Sequence, residues 1–428
     1  MSNLSFAEQA LAFSRDVSRG HGKIELSPKV TVRSLPEMAV AYTPGVGHVV
    51  RHLMKHPEEI GLYTNRDNLI ALVTDGSAVL GFGNVGPDAG LPVMEGKAVM
   101  FKALAGLDCM PLCLSTRSAR HFCDVVQALQ PSFGGINIED VASPGCFEIL
   151  STLERELSVP VIHDDQYGTA TVAIAALINA LRLTGRDPAD TRVVVNGVGA
   201  AGTATIIMLE ALGIGDIVAV DRGGILHRDD PQSHVHWQDI AARTNILGVR
   251  GGIADALRGA DAFIGLSVGG IVSPGMIRSM ASNAIVFGLA NPDPEIMPEE
   301  AEAAGAAVTA SGRFDFPNHC NNVLAFPGLM RGALDVKTKL VSIGMRMAAA
   351  REIARLAEVE GLSPRRILPS PLDVNVHAAV AEATGNASHN EGLARRPREI
   401  GEIFSNVMAL TGGPVSYTHL TLPTNREV

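Results

Sequence analysis

Short apolar runs alternate with longer stretches of helical spacing from about residue 69 to residue 330. That alternation predicts an α/β fold with mainly parallel sheets. "NLIALVTDG" and "PVIHDD" read as strands, and "GGINIEDVASP" carries an apolar strand-like run up to Glu139 and Asp140. "TRVVVNGVGAAGTATIIMLEALGIGDIVAVDRGG" reads as strand, glycine turn, helix and strand, one complete βαβ unit, and "ADAFIGLS" and "NAIVFGLANPDPE" continue the sheet. After about Pro327 the strand patterns stop. "MRGALDVKTKLVSIGMRMAAAREIARLAEV" has helical spacing, and helix is predicted to continue to about Leu410.

The opening "MSNLSFAEQALAFSRDVSRG" sets Glu8, Arg15 and Asp16 among its apolar positions, which suits an amphipathic helix and not a secretory leader. The longest apolar stretch, "TATVAIAALINALRLTG", falls short of a membrane span and runs into a charged turn, so a buried helix and no membrane partner are expected. "PVSYTHLTLPTNREV" at the end shares neither habit, and is expected to be a non-native extension or a disordered tail. The expected division is an N-terminal α/β substrate and metal domain over 1–164, a Rossmann-type doubly wound nucleotide-binding domain over 165–390, a C-terminal helix over 391–413, and the tail 414–428. The boundary near 165 rests on pattern alone, because no linker marks it.

Composition narrows the function classes. A chain of 428 residues suits two domains, and 46% hydrophobic with 19% charged residues can bury large cores. A formal net charge of −10, without a basic patch, argues against nucleic acid as partner. The cysteines at 109, 113, 123, 146 and 320 form no CxxC pair, so neither a disulfide framework nor a zinc site is expected, and a reducing cytoplasm fits them best.

In "VVVNGVGAAG", Gly197, Gly199 and Gly202 form G-x-G-x-x-G between strand and helix, with Ala200 and Ala201 opening the helix. The glycines permit a tight turn, close approach of a pyrophosphate, and packing of helix on strand. Asp221 ends the next strand, where a carboxylate binds ribose hydroxyls, but Arg222 follows it and could meet a 2′-phosphate, so NAD and NADP both stay open. Glu139 with Asp140, and Asp164 with Asp165 in "PVIHDDQYGTA", are two carboxylate pairs at strand ends. They can cap local turns, or converge on a crevice and bind a divalent cation, for which oxygen-only ligation favours Mg²⁺ or Mn²⁺. Tyr42 in "AVAYTPGVG" and Lys97 in "GLPVMEGKAVMFKALAG" can do proton chemistry, since a lysine beside a cation and partly desolvated can have its pKa lowered.

These residues resemble the malic enzymes in their short bacterial-type form. "AYTPGVG", "LPVMEGKAVMFK", "INIEDV", "HDDQYGTA", "NGVGAAG", "ANPDPE" and "FPNHCNNVLAFPG" stand in the family's order and spacing over roughly residues 10–410. The resemblance implies oxidative decarboxylation of (S)-malate to pyruvate and CO₂ with NAD or NADP and a divalent cation, by a homodimer or higher homo-oligomer in the cytoplasm. It implies that Glu139, Asp140 and Asp165 are metal ligands, Lys97 the general base for the C2 hydroxyl, Tyr42 the acid that protonates C3 of enolpyruvate, and Asp164 a group that orients or tunes Lys97. Asn291 and Asn321 resemble the asparagines that hold substrate and the nicotinamide side, with Asn322 competing for the second place. One departure stands out: larger members carry a malate-gripping arginine where Ala78 stands here. Two other readings are weighed beside this one, a malolactic-type enzyme that retains NADH and makes lactate, and a non-catalytic nucleotide sensor on the same fold.

Overall fold

The computed structural model describes residues 5–16, 21–79, 81–231 and 234–412, so the tail 414–428 lies outside the described residues. The first sheet holds β1 (Leu69–Thr74), β2 (Asp108–Cys113), β3 (Gly135–Ile138) and β4 (Val161–His163). Its order is β2-β1-β3-β4, parallel throughout. β3 and β4 are buried at every position, which is why they read as mainly apolar runs broken only by Asn137 and His163. β2 lies at the edge and is only half-buried, a place where Pro111 is tolerated within a strand.

The second sheet holds β5 (Arg192–Asn196), β6 (Asp216–Asp221), β7 (Gly224–Ile225), β8 (Ala262–Gly265), β9 (Ala284–Gly288) and β10 (Ala306–Ser311). Its order is β10-β9-β8-β5-β6-β7, and only β7 runs antiparallel. The order in which strands are added reverses between β1 and β3 in the first sheet and between β5 and β8 in the second, which opens a crevice beyond the carboxyl ends of each pair.

The helix Thr169–Thr184 joins the two sheets. It is apolar on nearly all sides and buried along most of its length, as befits a core helix. One apolar cluster runs through it from Ile70 and Ile136 in the first sheet to Val193 and Ile264 in the second. The four helices after β10 close the molecule. Phe326–Asp335, Val374–Asn390 and Glu402–Thr411 all pack on Gly86–Ala105 beside β1, while Ile343–Val359 packs on Thr169–Thr184. Two of the helices that pattern assigned to 165–390 thus lie against the first sheet's own helix.

Nothing before β1 is buried among the described residues. Phe6–Ser14 is a helix with a Ser5 and Glu8 capping box, and Leu35–Ala41 and Val46–Leu53 follow it, leaving Leu35, Val40, Val50, Met54 and Leu62 exposed.

Candidate active site

The two carboxylate pairs meet because their strands are neighbours. Ile138 of β3 pairs with His163 of β4, so Glu139 and Asp140 leave the sheet beside Asp164 and Asp165. Asp140 takes a left-handed backbone, φ 54°, a conformation Asp tolerates better than most side chains. Its N–H donates to Asp165 Oδ2 at 2.7 Å. Ligand oxygens of Glu139, Asp140 and Asp165 lie within 4.8 Å of one another. Burial and the neighbouring Asp140 carboxylate push Asp165 up to about 7. Burial also raises Glu139 well above the usual carboxylate range, against the pull of Lys97. An all-oxygen set whose members resist ionising together fits a hard divalent cation.

Lys97 comes from Gly86–Ala105, the helix that follows β1. Pro87 and Asp88 suit its first turn, and Gly106 ends it in a left-handed conformation. Lys97 shares the buried face with Met94 and Phe101, each about one turn away, a spacing that aims it inward. Its Nζ donates to both Glu139 and Asp164 and lies 4.5 Å from the centre of the Phe326 ring. Burial alone would lower its pKa, but Asp164, Glu139 and Asp165 outweigh that and hold it protonated, above the ordinary lysine range. The sequence reading expects the opposite direction. The difference arises because carboxylates from β3 and β4 reach the ammonium directly.

Asp164 and Asp165 open a π-helical turn, Asp164–Gly168, that leads into Thr169–Thr184. Such turns recur at functional sites. A Cβ on Gly168 would collide with the Asp164 carboxylate, so glycine is needed there. Asp164 also accepts from Asn322 Nδ2, whereas Asn321 Oδ1 caps its own turn by accepting from Val323 N–H at 3.0 Å. Of the two competing asparagines, Asn322 is therefore the one that joins the cluster.

Two neighbours were not singled out from sequence. Asn137, inside β3, donates to Glu139 Oε2 at 3.1 Å. His163 ends β4 with Nδ1 3.7 Å from Asp165 and neither ring nitrogen hydrogen-bonded among the described residues. Burial pulls its pKa down to about 3, so it is neutral. Both occupy strand positions that a pattern of apolar runs treats as interior, and only their polarity marks them.

In the second crevice Gly197 has φ 96°, and a Cβ on Gly202 would strike the Gly197 carbonyl, so both glycines are required as the turn motif expects. Gly199 precedes the helix Ala200–Leu212, which Ala200 and Ala201 begin. Trp237 Nε1 ties the turn down by donating to Val198 O at 2.6 Å. Asp221 ends β6 and accepts from Arg222 N–H at 2.8 Å, while the Arg222 side chain is exposed. Asn291 follows β9, exposed, with its Nδ2 against Gly312.

Tyr42 does not join Lys97 in this chain. It ends Leu35–Ala41, is 70% exposed, and is absent from the hydrogen bonds that Lys97 makes. Ala78, where larger relatives place an arginine, gives its backbone N–H to Asp140 O at 2.9 Å.

Residues 21–121 match the malic enzyme N-terminal domain family and residues 166–386 the malic enzyme NAD binding domain family. A bifunctional malic/malolactic enzyme of Bacillus subtilis (strain 168) is 44% identical over 403 residues, covering 93% of this chain and 98% of its own. An NAD-dependent malic enzyme of Geobacillus stearothermophilus is 44% identical over 375 residues, 88% of this chain and 78% of its own. The crystal structure of malic enzyme from Pyrococcus horikoshii superposes with a TM-score of 0.91 at 42% identity, over 95% of this chain and 96% of that one.

Proposed function

This chain belongs to the malic enzyme family, and on that premise we propose that its two crevices carry out the oxidative decarboxylation of (S)-malate to pyruvate and CO₂ with NAD or NADP. The observation that carries the reading is Lys97 Nζ held between Glu139 and Asp164, beside three converging carboxylate oxygens.

Glu139, Asp140 and Asp165 would hold Mg²⁺ or Mn²⁺, whose charge, when present, favours negative oxygen on the substrate. NAD or NADP, when bound along Gly197–Gly202, supplies the hydride acceptor. Lys97 takes the proton of the malate C2 hydroxyl. It can do so only after losing its own, which Glu139 and Asp164 now retain by attraction, so whatever neutralises Glu139 readies the base. Asp164, itself held by Asn322, fixes where Nζ stands. Tyr42 returns a proton to C3 of enolpyruvate. Asn291 and Asn322, the latter favoured over Asn321, bind substrate and the nicotinamide side, and the backbone beside Ala78 stands where the arginine is missing.

The working unit is a homodimer or higher homo-oligomer in the cytoplasm. Support comes from the exposed apolar side chains of residues 35–62 on the segment that carries Tyr42, a surface that a second copy would cover, and from five cysteines left as free thiols.

The test is a malate turnover assay with Mn²⁺, comparing NAD with NADP and counting reduced cofactor and pyruvate per malate consumed. One reduced cofactor per malate is expected. A second reading, malolactic conversion, is favoured by the bifunctional malic/malolactic relative, and lactate with almost no cofactor released would replace the first reading with it.

A further inference from the structure

Across the second sheet, Asn196, Gly265 and Gly288 form one row, at the carboxyl ends of β5, β8 and β9. The residues just beyond this row carry the proposed ligand contacts: Gly197 follows Asn196, and Asn291 follows Ala290. Glu295 returns over the row from the loop after Asn291 and is 0% exposed. Its Oε1 accepts from Ser267 N–H at 2.8 Å and Ser267 Oγ at 3.2 Å, and its Oε2 accepts from Ala290 N–H at 3.1 Å. Ser267 Oγ in turn accepts from Asn196 Nδ2 at 2.6 Å. A Cβ on Gly265 would collide with the Glu295 carboxylate, so the sheet makes room for it.

No lysine or arginine pairs with Glu295 among the described residues. A buried carboxylate with no countercharge is a poor way to add stability, since an apolar side chain there would avoid its desolvation. Three donors aimed at it from two strand ends are, however, a way to fix geometry.

We propose that Glu295 is a positioning residue that fastens the dinucleotide turn at Gly197 to the substrate loop at Asn291, through Ser267 and Asn196 on one side and Ala290 on the other. The inference rests on the roles given above to Gly197 and Asn291. Hydride transfer depends on the two reactants meeting at near-contact distance, and a shared carboxylate sets the separation of the two surfaces that hold them.

Glu295→Gln keeps the shape but supplies one acceptor oxygen where two are used, so one strand end loses its partner. It is expected to raise both the KM for malate and the Kd for reduced cofactor about tenfold. Ser267→Ala keeps the backbone donor to Glu295 and the Ala290 side of the clasp, and removes the hydroxyl that links Glu295 to Asn196. It is expected to weaken cofactor binding severalfold and leave the malate KM unchanged. Cofactor affinity is read by nicotinamide fluorescence, which needs no turnover. A wild-type protein without malate turnover would defeat the proposed function, whereas a turning-over wild type whose Glu295→Gln variant keeps both constants, whatever its melting temperature, would overturn this inference alone. Should Glu295→Gln fail to fold, Ser267→Ala decides: an unchanged cofactor Kd overturns the proposal, and a weakened one with unchanged malate KM supports it.

Discussion

The backbone N–H of Asp140 donates to Asp165 Oδ2 at 2.7 Å, so carboxylate-bearing residues from two neighbouring strand ends are fastened together by a bond of their own. An amide oxygen could accept the same bond. Asp165→Asn is therefore expected to keep the fold while losing one unit of ligand charge. Mn²⁺ titrated against the variant should bind at least about a hundredfold more weakly, with turnover falling in parallel. Unaltered Mn²⁺ affinity would remove Asp165 from the ligand set.

Tyr42 and Lys97 are expected to separate two proton transfers. Tyr42→Phe should greatly slow exchange of pyruvate's methyl protons with deuterated solvent and impair reduction of oxaloacetate much less. Lys97→Ala should impair that reduction severely. Methyl exchange as fast as in the parent would remove Tyr42 from the reaction. Because Tyr42 is 70% exposed and Lys97 buried, the two variants are also expected to complement each other. In a two-fold dimer with shared sites, equal mixing should restore about a quarter of parental activity, and none would mean each chain supplies its own tyrosine.

Cofactor choice turns on Asp221 and its neighbour. The carboxylate ends β6 and would repel a 2′-phosphate, whereas the Arg222 side chain is exposed. A higher kcat/KM with NAD is expected, and Asp221→Ser should shift the ratio toward NADP by about tenfold or more. A parental preference for NADP would show that Arg222 governs.

Acid sensitivity should come in part from His377. Its ring is buried, with Nε2 at 2.8 Å from Pro371 O. Burial lowers its pKa below 6.5, opposed by the Pro371 carbonyl and Asp373. The unfolded chain then binds the proton more readily than the folded one, so stability present above pH 6.5 is lost as pH falls below it, by up to about 1.4 kcal/mol per pH unit. Urea unfolding at pH 7.5 and 5.5 should show a smaller loss for His377→Gln than for the parent. Equal losses would exonerate the residue.

The strands that sequence reads clearly are those buried on both faces, such as β3 and β4, and the βαβ unit around Gly197, where turn chemistry and periodicity agree. β2 was hard to see because it is a half-buried edge strand containing Pro111. The carboxylate pairs were legible as strand-end residues, and their convergence follows from β3 lying beside β4. What the sequence could not supply was the state of Lys97, which is set by partners 42 and 67 residues away. Asn137 and Glu295 were hidden for a related reason: their meaning lies in which backbone groups the fold turns toward them.

The helices that cover the first sheet are synthesised only after all four of its strands. Phe101 packs at a tilt against Phe326 with ring centres 4.6 Å apart, Gly135 leaves room for Met330, and Gly106 for Leu410. A ribosome that has delivered all four strands of that sheet has yet to make the residues that will shield its helix from water. The early-emerging sheet must wait, apolar and uncovered, until those helices follow. During this interval, before Lys97 has the Phe326 ring behind it, the uncovered apolar surface exposes the chain to aggregation.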